Sequence, residues 1–220
     1  MVTQAAEADT PRNILTAARA RLLVDGYAGL STRKIAQEAG VPLSQVHYHF
    51  GSKRGMVLAL LEAENRRRLA RQSAMYAQEA PLSRRYEQAC DFLEDDLESG
   101  FVRVLQEMIA AGWSEPDIAE AARRLLGGWY ELLTEVATEA AQRFGGLGPF
   151  SPLEVATLIG NLFIGSEAML LLGFDRHRFP IRSSLRRIGE VIRLAEQRAE
   201  QQAAAKPTQT KRVATKSGST

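Results

Sequence analysis

Cysteine is almost missing from these 220 residues: Cys90 stands alone. No disulfide can form within the chain, and nothing in it calls for an oxidising compartment. Set among Tyr86, Phe92 and Leu93, Cys90 reads as a small core side chain rather than a redox sensor. β-Branched residues are sparse beside Leu, Ala, Glu, Arg and Gln, which favours helices, and apart from turn signals no segment asks to be a strand. Long apolar runs are missing too. The run Ala168 to Gly173 falls far short of a membrane span, and the polar, acidic start MVTQAAEADT is unlike a secretion signal. The expectation is a soluble, cytoplasmic, all-α protein. Histidine is scarce as well. His47, His49 and His177 with Cys90 offer no metal set, and no nucleophile elbow or phosphate-cradling glycine loop is present. His47 and His49, two apart, point to different faces of a helix. Catalysis, a metal site and a cofactor are therefore not expected.

What is present is a sizeable apolar fraction, 45% of residues, and an uneven charge. Residues 11–60 carry seven basic side chains (Arg12, Arg19, Arg21, Arg33, Lys34, Lys53, Arg54) against Asp25 and Glu38. Residues 61–200 carry 17 basic groups against 22 acidic ones. The first segment suits a polyanion; the second does not.

The helix signals divide the chain. Thr10-Pro11 reads as a helix start, followed by Ile14, Leu15, Ala18, Leu22 and Leu23 on one stripe and a stop at Asp25-Gly26. Ser31 caps a short second helix, Thr32 to Ala39, with Gly40 as its left-handed terminator. A third, about Leu43 to Phe50, follows within three residues. Two such short helices cannot stand alone. They need the first helix to close a core from Leu15, Leu22, Ile35, Val41, Val46 and Phe50, and a core around so tight a turn is the geometry that sets a helix in the major groove. Ser52 caps a long fourth helix to about Gln78. Further helices are expected over 83–98, 101–111, from Ser114-Glu115-Pro116 onward (stripe Ile118, Ala122, Leu125, Trp129, Leu132, Val136, Ala140), 153–172, and after Pro180 (stripe Ile181, Leu185, Ile188, Ile192, Ala195). Residues 201–220, with four basic groups and no acid, read as a disordered basic tail.

The stretch STRKIAQEAGVPLSQVHYHFGSKRGMV, residues 31–57, resembles the helix-turn-helix of the TetR family of bacterial transcriptional regulators. The resemblance is specific over about Ile14 to Leu60; beyond it only length and helical organisation match. It implies that Thr32 and Arg33 approach the DNA backbone and that residues 43–49 form the recognition helix. Ser44, Gln45 and His47 then lie within reach of base edges, where Gln45 suits adenine, while Tyr48, His49, Lys53 and Arg33 suit phosphates. Val46 and Phe50 belong to the core. The family commonly has a tyrosine where this chain has His47, and a serine or threonine cap where it has Pro42.

The expected organisation is a flexible N-terminus (1–10), a helix-turn-helix domain (11–54), a helical effector-binding and dimerisation domain (55–200) and the tail (201–220). The resemblance implies a homodimer through the last two long helices, facing an inverted repeat of double-stranded DNA. An Arg- and Glu-rich helix beside one apolar nearly all round gives an independent reason for dimerisation. It further implies a repressor released by a small, largely apolar effector. Candidate contacts for that effector are Phe92, Phe101, Met108, Trp113, Trp129, Tyr130, Phe163 and Met169, with Asn161 and Glu167 as polar handles. The alternative is a helical protein–protein adaptor without specific DNA binding. It accounts for the body but not for the basic head with its tight Gly40-Val41-Pro42 turn. An RNA binder lacks the usual aromatic stacking platform.

Overall fold

The computed structural model describes residues 4–174 and 178–205, the first five by backbone alone. His177 and residues 206–220 of the expected tail lie outside them. The described residues form nine helices: α1 (Gln4–Gly29), α2 (Thr32–Glu38), α3 (Leu43–Phe50), α4 (Lys53–Tyr76), α5 (Leu82–Glu98), α6 (Phe101–Gly112), α7 (Pro116–Phe144), α8 (Pro152–Leu171) and α9 (Ile181–Ala205).

Two ends differ from expectation. α1 begins at Gln4 and carries Pro11 inside it rather than at its start. Gln4, Ala5, Ala6 and Glu7 are good helix formers, and they continue the helix past a proline that has only one early bond to lose. At the other end, residues 201–205, placed in the tail from sequence, continue α9 to Ala205. The three alanines there propagate a helix already nucleated.

The head is built as its spacing asks. α1 loses helical geometry at Gly26 (φ 66°, ψ 172°), a conformation open essentially to glycine alone. Leu30 then folds back into the core. Ile14 rather than Leu15 sits at the centre of α1's buried face, with Ala18 and Leu22 below it; Leu15, Val41 and Phe50 pack at its margin. Ile35 and Ala36 of α2, Val46 of α3, and Met56 and Val57 of α4 complete the cluster. Ser52 caps α4 through its side chain, accepting from the Gly55 N–H at 3.1 Å. Ser31 takes the cap position of α2 with extended backbone but without a side-chain bond.

The head's apolar core does not end at the head. It runs on without a gap through Leu60 and Leu61 of α4, Leu105 and Met108 of α6, and Ile118 and Leu125 of α7. A second cluster lies deeper in the body, from Tyr86, Cys90 and Leu93 of α5 with Val102, Phe163, Leu170 and Leu185. Cys90 is buried, and burial pushes its thiol up to about 11, so it is held as the neutral thiol. The buried face of α7 follows Ile118, Ala122 and Leu125 as expected, then passes through Leu133 and Ala137. Leu132, Val136 and Ala140 of the expected stripe are only half-buried.

α8 starts in a capping box, Ser151 with Glu154, and lies against α7 so closely that a Cβ on Gly160 would come within 2.2 Å of the Tyr130 ring. Contrary to the reading from the run Ala168 to Gly173, α8 is long and apolar enough by length and composition to cross a membrane, with 28% of that window buried within the chain. Its outer side shows Leu153, Leu158, Leu162 and Met169 to solvent, and α9 adds Val191 and Leu194.

Candidate functional site

The turn between α2 and α3 is fixed by backbone bonds. Gly40 N–H donates to Gln37 O at 3.2 Å and Val41 N–H to Ala36 O at 3.0 Å, the paired pattern that ends a helix on a left-handed residue. Gly40 supplies it at φ 66°. Pro42 opens α3 with φ −58° and ψ 144°, and its carbonyl accepts from Gln45 N–H at 2.9 Å. Val46 is the one fully buried residue of α3. With it turned inward, Ser44, Gln45, His47 and Tyr48 stand in solvent, Tyr48 at 81% exposure.

The histidines take different situations. His47 Nδ1 lies 3.0 Å from the Gly51 carbonyl. A carbonyl only accepts, so Nδ1 carries the hydrogen, and in the neutral ring Nε2 is left as an acceptor. His49 is half-buried, edge-on to Tyr48 with ring centroids 4.9 Å apart and beside Phe50. Lys53, at the start of α4, holds its ammonium 4.4 Å from the centre of the Tyr27 ring and 3.5 Å from the Ala28 carbonyl. Thr32 is half-buried and Arg33 exposed at the start of α2.

Fewer of the head's cations are free for a polyanion than the sequence count suggests. Arg21 and Lys34 both reach Asp25, at 2.6 and 3.3 Å, and the Arg21 hydrogen bond holds that carboxyl below its usual range. Arg19 pairs with Glu64 at 3.4 Å and Arg54 with Asp117 at 3.0 Å. Among the described residues Arg12, Arg33 and Lys53 lie outside such pairs.

A seam of polar contacts ties the head to the body. Tyr27 N–H donates to Glu107 Oε2 at 3.1 Å, and its hydroxyl donates to Glu115 at 2.5 Å. Burial, then the Glu115 hydrogen bond, push the phenol's pKa above its ordinary value. From sequence Tyr27 is placed to fold back over the end of the first helix, but its partners Glu107 and Glu115, 80 and 88 positions away, are not legible there.

Inside the body, two small cavities of about 60 and 40 Å³ share Gln72 of α4, Asp96 of α5, Trp129 of α7 and Glu167 of α8 as walls. They lie between the two apolar clusters, with Phe101 and Leu105 on one side and Phe163 and Leu133 on the other. Of the effector candidates from sequence, Phe92, Phe101, Trp129, Phe163 and Glu167 line these cavities. Trp113 does not: it ends α6 at 84% exposure. Met169 and Asn161 also face outward, Asn161 accepting from the Tyr130 hydroxyl at 2.6 Å, and neither they nor Tyr130 lines either of these cavities. Met108 is fully buried in the head-side cluster. The cavity walls are more polar than expected. Asn65, Arg68 and Gln72 of α4 line the larger one, at spacings of three and four that place them on one face, a signal present in the sequence but unread.

The model of the tetR family of bacterial regulatory proteins matches residues 14–60. Residues 14–60 thus carry the N-terminal domain of that family. The chain matches no curated protein by sequence. Solved structures resemble the whole fold. A TetR transcriptional regulator from Legionella pneumophila has 20% identity and a TM-score of 0.68, with 82% of this chain and 95% of that one covered. A putative transcriptional regulator from Saccharomonospora viridis, in complex with choline, has 21% identity and a TM-score of 0.68, covering 83% and 94%. The transcriptional regulator FadR from Bacillus subtilis, in complex with stearoyl-CoA, has 16% identity and a TM-score of 0.67, covering 82% and 96%. At these identities the likeness is one of fold: a TetR-family head on a helical body.

Proposed function

We propose that this protein is a sequence-specific DNA-binding transcriptional regulator that works as a homodimer and is released from its operator by a small molecule. The observation that carries this reading is the presentation of α3. With Val46 buried, Ser44, Gln45, His47 and Tyr48 all stand in solvent. Ser44, Gln45 and the Nε2 of His47 face base edges, with Gln45 bidentate to adenine. Tyr48, His49, Lys53, Arg33 and Thr32 hold the phosphates on either side. Residues 11–54 act as the head and 55–200 as the body.

Dimerisation is supported by the uncovered apolar side of α8, where Leu158 and Leu162 are 54% and 39% exposed, and by Val191 and Leu194 on α9. Large apolar side chains left exposed in this number on two helices suit an interface, and a two-fold axis there offers two heads to an inverted repeat. The interior cavities support a ligand-responsive body, as does the likeness to folds solved with choline and with stearoyl-CoA. At about 60 and 40 Å³ each holds no more than a few waters. A ligand must therefore part the helices around Trp129 to enter, and that gives it the differential affinity for two states on which release depends. Repression relieved by ligand is the mode assigned.

The test is selection of short duplexes by the purified full chain at about 0.15 M salt, followed by sequencing of the bound pool. Recovery of one inverted repeat is expected. A pool no richer in any motif than the input, from folded dimeric protein, overturns the reading.

A further inference from the structure

The charges around the two cavities do not balance evenly. Arg68 is matched by Glu64 at 3.5 Å and by Asp96, and its guanidinium lies 3.1 Å from the centre of the Phe101 ring. Arg71 is matched by Asp96 at 2.8 Å and Asp95 at 3.7 Å, and lies over Phe92. These two cations are already met by carboxylates and by aromatic faces, so an anionic ligand would find no spare positive charge. Glu167 is different. It is 9% exposed and lines both cavities, and among the described residues its hydrogen-bond donor is the Gln106 amide, 3.3 Å from Oε2. Among the described residues no cation lies in an ion pair with it. Beside it, Gln72 Oε1 is buried without a donor, and Trp129 and Phe163 stand edge to face with centroids 6.3 Å apart. Arg68 Nε, a buried donor without an acceptor, asks for a neutral oxygen, since its charge is already matched.

We propose that this cavity takes a small organic cation, a protonated amine on an aromatic or apolar body, with the Glu167 carboxylate as its counter-charge. The ammonium places one N–H on Glu167 and another on Gln72 Oε1, and the body of the ligand lies against Trp129 and Phe163. A buried carboxylate with a single neutral donor is costly to ionise, and burial pushes Glu167 up to about 7. An entering cation supplies what that carboxylate lacks, whereas a neutral molecule does not. The inference rests on the reading of the cavity as the effector site.

Calorimetry on the full chain with benzylammonium, benzyl alcohol and benzoate varies the charge on one ring. Benzylammonium is expected to bind at least tenfold more tightly than benzyl alcohol, with benzoate weakest, and Glu167→Gln, nearly the same shape, should abolish the preference while the variant remains folded by circular dichroism. Affinity for the cation should also rise between pH 6 and pH 8 as Glu167 ionises. Asp96 on α5 opposes that ionisation and Arg68 on α4 favours it, and Gln106 on α6 donates to the carboxylate; Glu167→Gln should flatten the pH profile. Benzyl alcohol or benzoate binding as tightly as the amine, or a preference that survives Glu167→Gln, overturns the charge selectivity and leaves the effector cavity standing. No binding by any of the three overturns both.

Discussion

Replacing Lys53 with Gln separates a phosphate contact from a merely solvated lysine. Its ammonium lies at the head's surface over Tyr27, outside the ion pairs that occupy Arg21, Lys34 and Arg54. Each phosphate contact adds about 0.9 to the slope of log affinity against log salt, and a dimer carries Lys53 twice, so Lys53→Gln should make that slope shallower by about 1.8. The folded state loses little. A surface ammonium over one ring is worth roughly 0.5–1 kcal/mol, and the 3.5 Å contact to Ala28 O is at the outer limit of a hydrogen bond. Arg54→Gln is the matched control. It removes the same charge one residue away, from a side chain turned to Asp117 at 3.0 Å, and should change the slope far less. Anisotropy titrations of the selected operator between roughly 0.05 and 0.2 M salt measure both slopes. A Lys53→Gln slope equal to that of the parent protein, or an Arg54→Gln slope equally reduced, refutes the assignment.

Gly160→Ala should destabilise the protein by about 1–3 kcal/mol in denaturant unfolding, since its Cβ would lie 2.2 Å from a Tyr130 ring carbon and overpacking of that kind forces helices apart; adding Tyr130→Ala should recover part of the loss. Arg85→Ala should cost about 3 kcal/mol, because a 2% exposed guanidinium that donates to the Tyr76 carbonyl at 2.6 Å and to Glu139 at 3.0 Å would leave both. The Glu139 carboxylate, which is partly exposed and keeps Arg143 at 2.6 Å, holds the figure below the extreme; an unchanged melting temperature would contradict it. Glu167 binds its proton more tightly folded than unfolded, about 7 against an ordinary 4.5, so its contribution to stability is present at low pH and is lost as pH rises through that window. Without ligand, Glu167→Gln should therefore be more stable than the parent at pH 8, by a difference on the order of 3 kcal/mol at most, and the gap should close below about pH 4.5. A constant gap across that range would show that Glu167 is not desolvated as described.

The head was legible because its signals are local. Gly40 announces the turn, and Val46 and Phe50, four apart, place α3 at about the residues it occupies, though a proline where a capping side chain is usual left its first residue open until the structure set it at Leu43. The body was legible in outline and not in register. Leu132 and Leu133 are neighbours, as are Val136 and Ala137, so two apolar stripes fit α7 equally well; the packed body buries the second. Trp113 shows the limit of reading large side chains as interior, since a helix end at Gly112 turned it outward. The polar set around Glu167 was missed for a different reason. Arg71 and Asp96 are 25 positions apart and Gln106 and Glu167 are 61 apart, and no periodicity within one helix reports on a partner in another.

The unbroken apolar core from Ile14 to Leu125 also bears on how this protein can be re-engineered. Regulators with a reading head are attractive for cut-and-paste design, in which one chain's operator preference is joined to another's sensor. Here a splice after residue 60 would strip Ile14, Leu22 and Met56 of the Leu105, Met108 and Ile118 they share a core with, and would leave Tyr27 without Glu107 and Glu115. A working hybrid has to carry the facing surface of α6 and the start of α7 with the head.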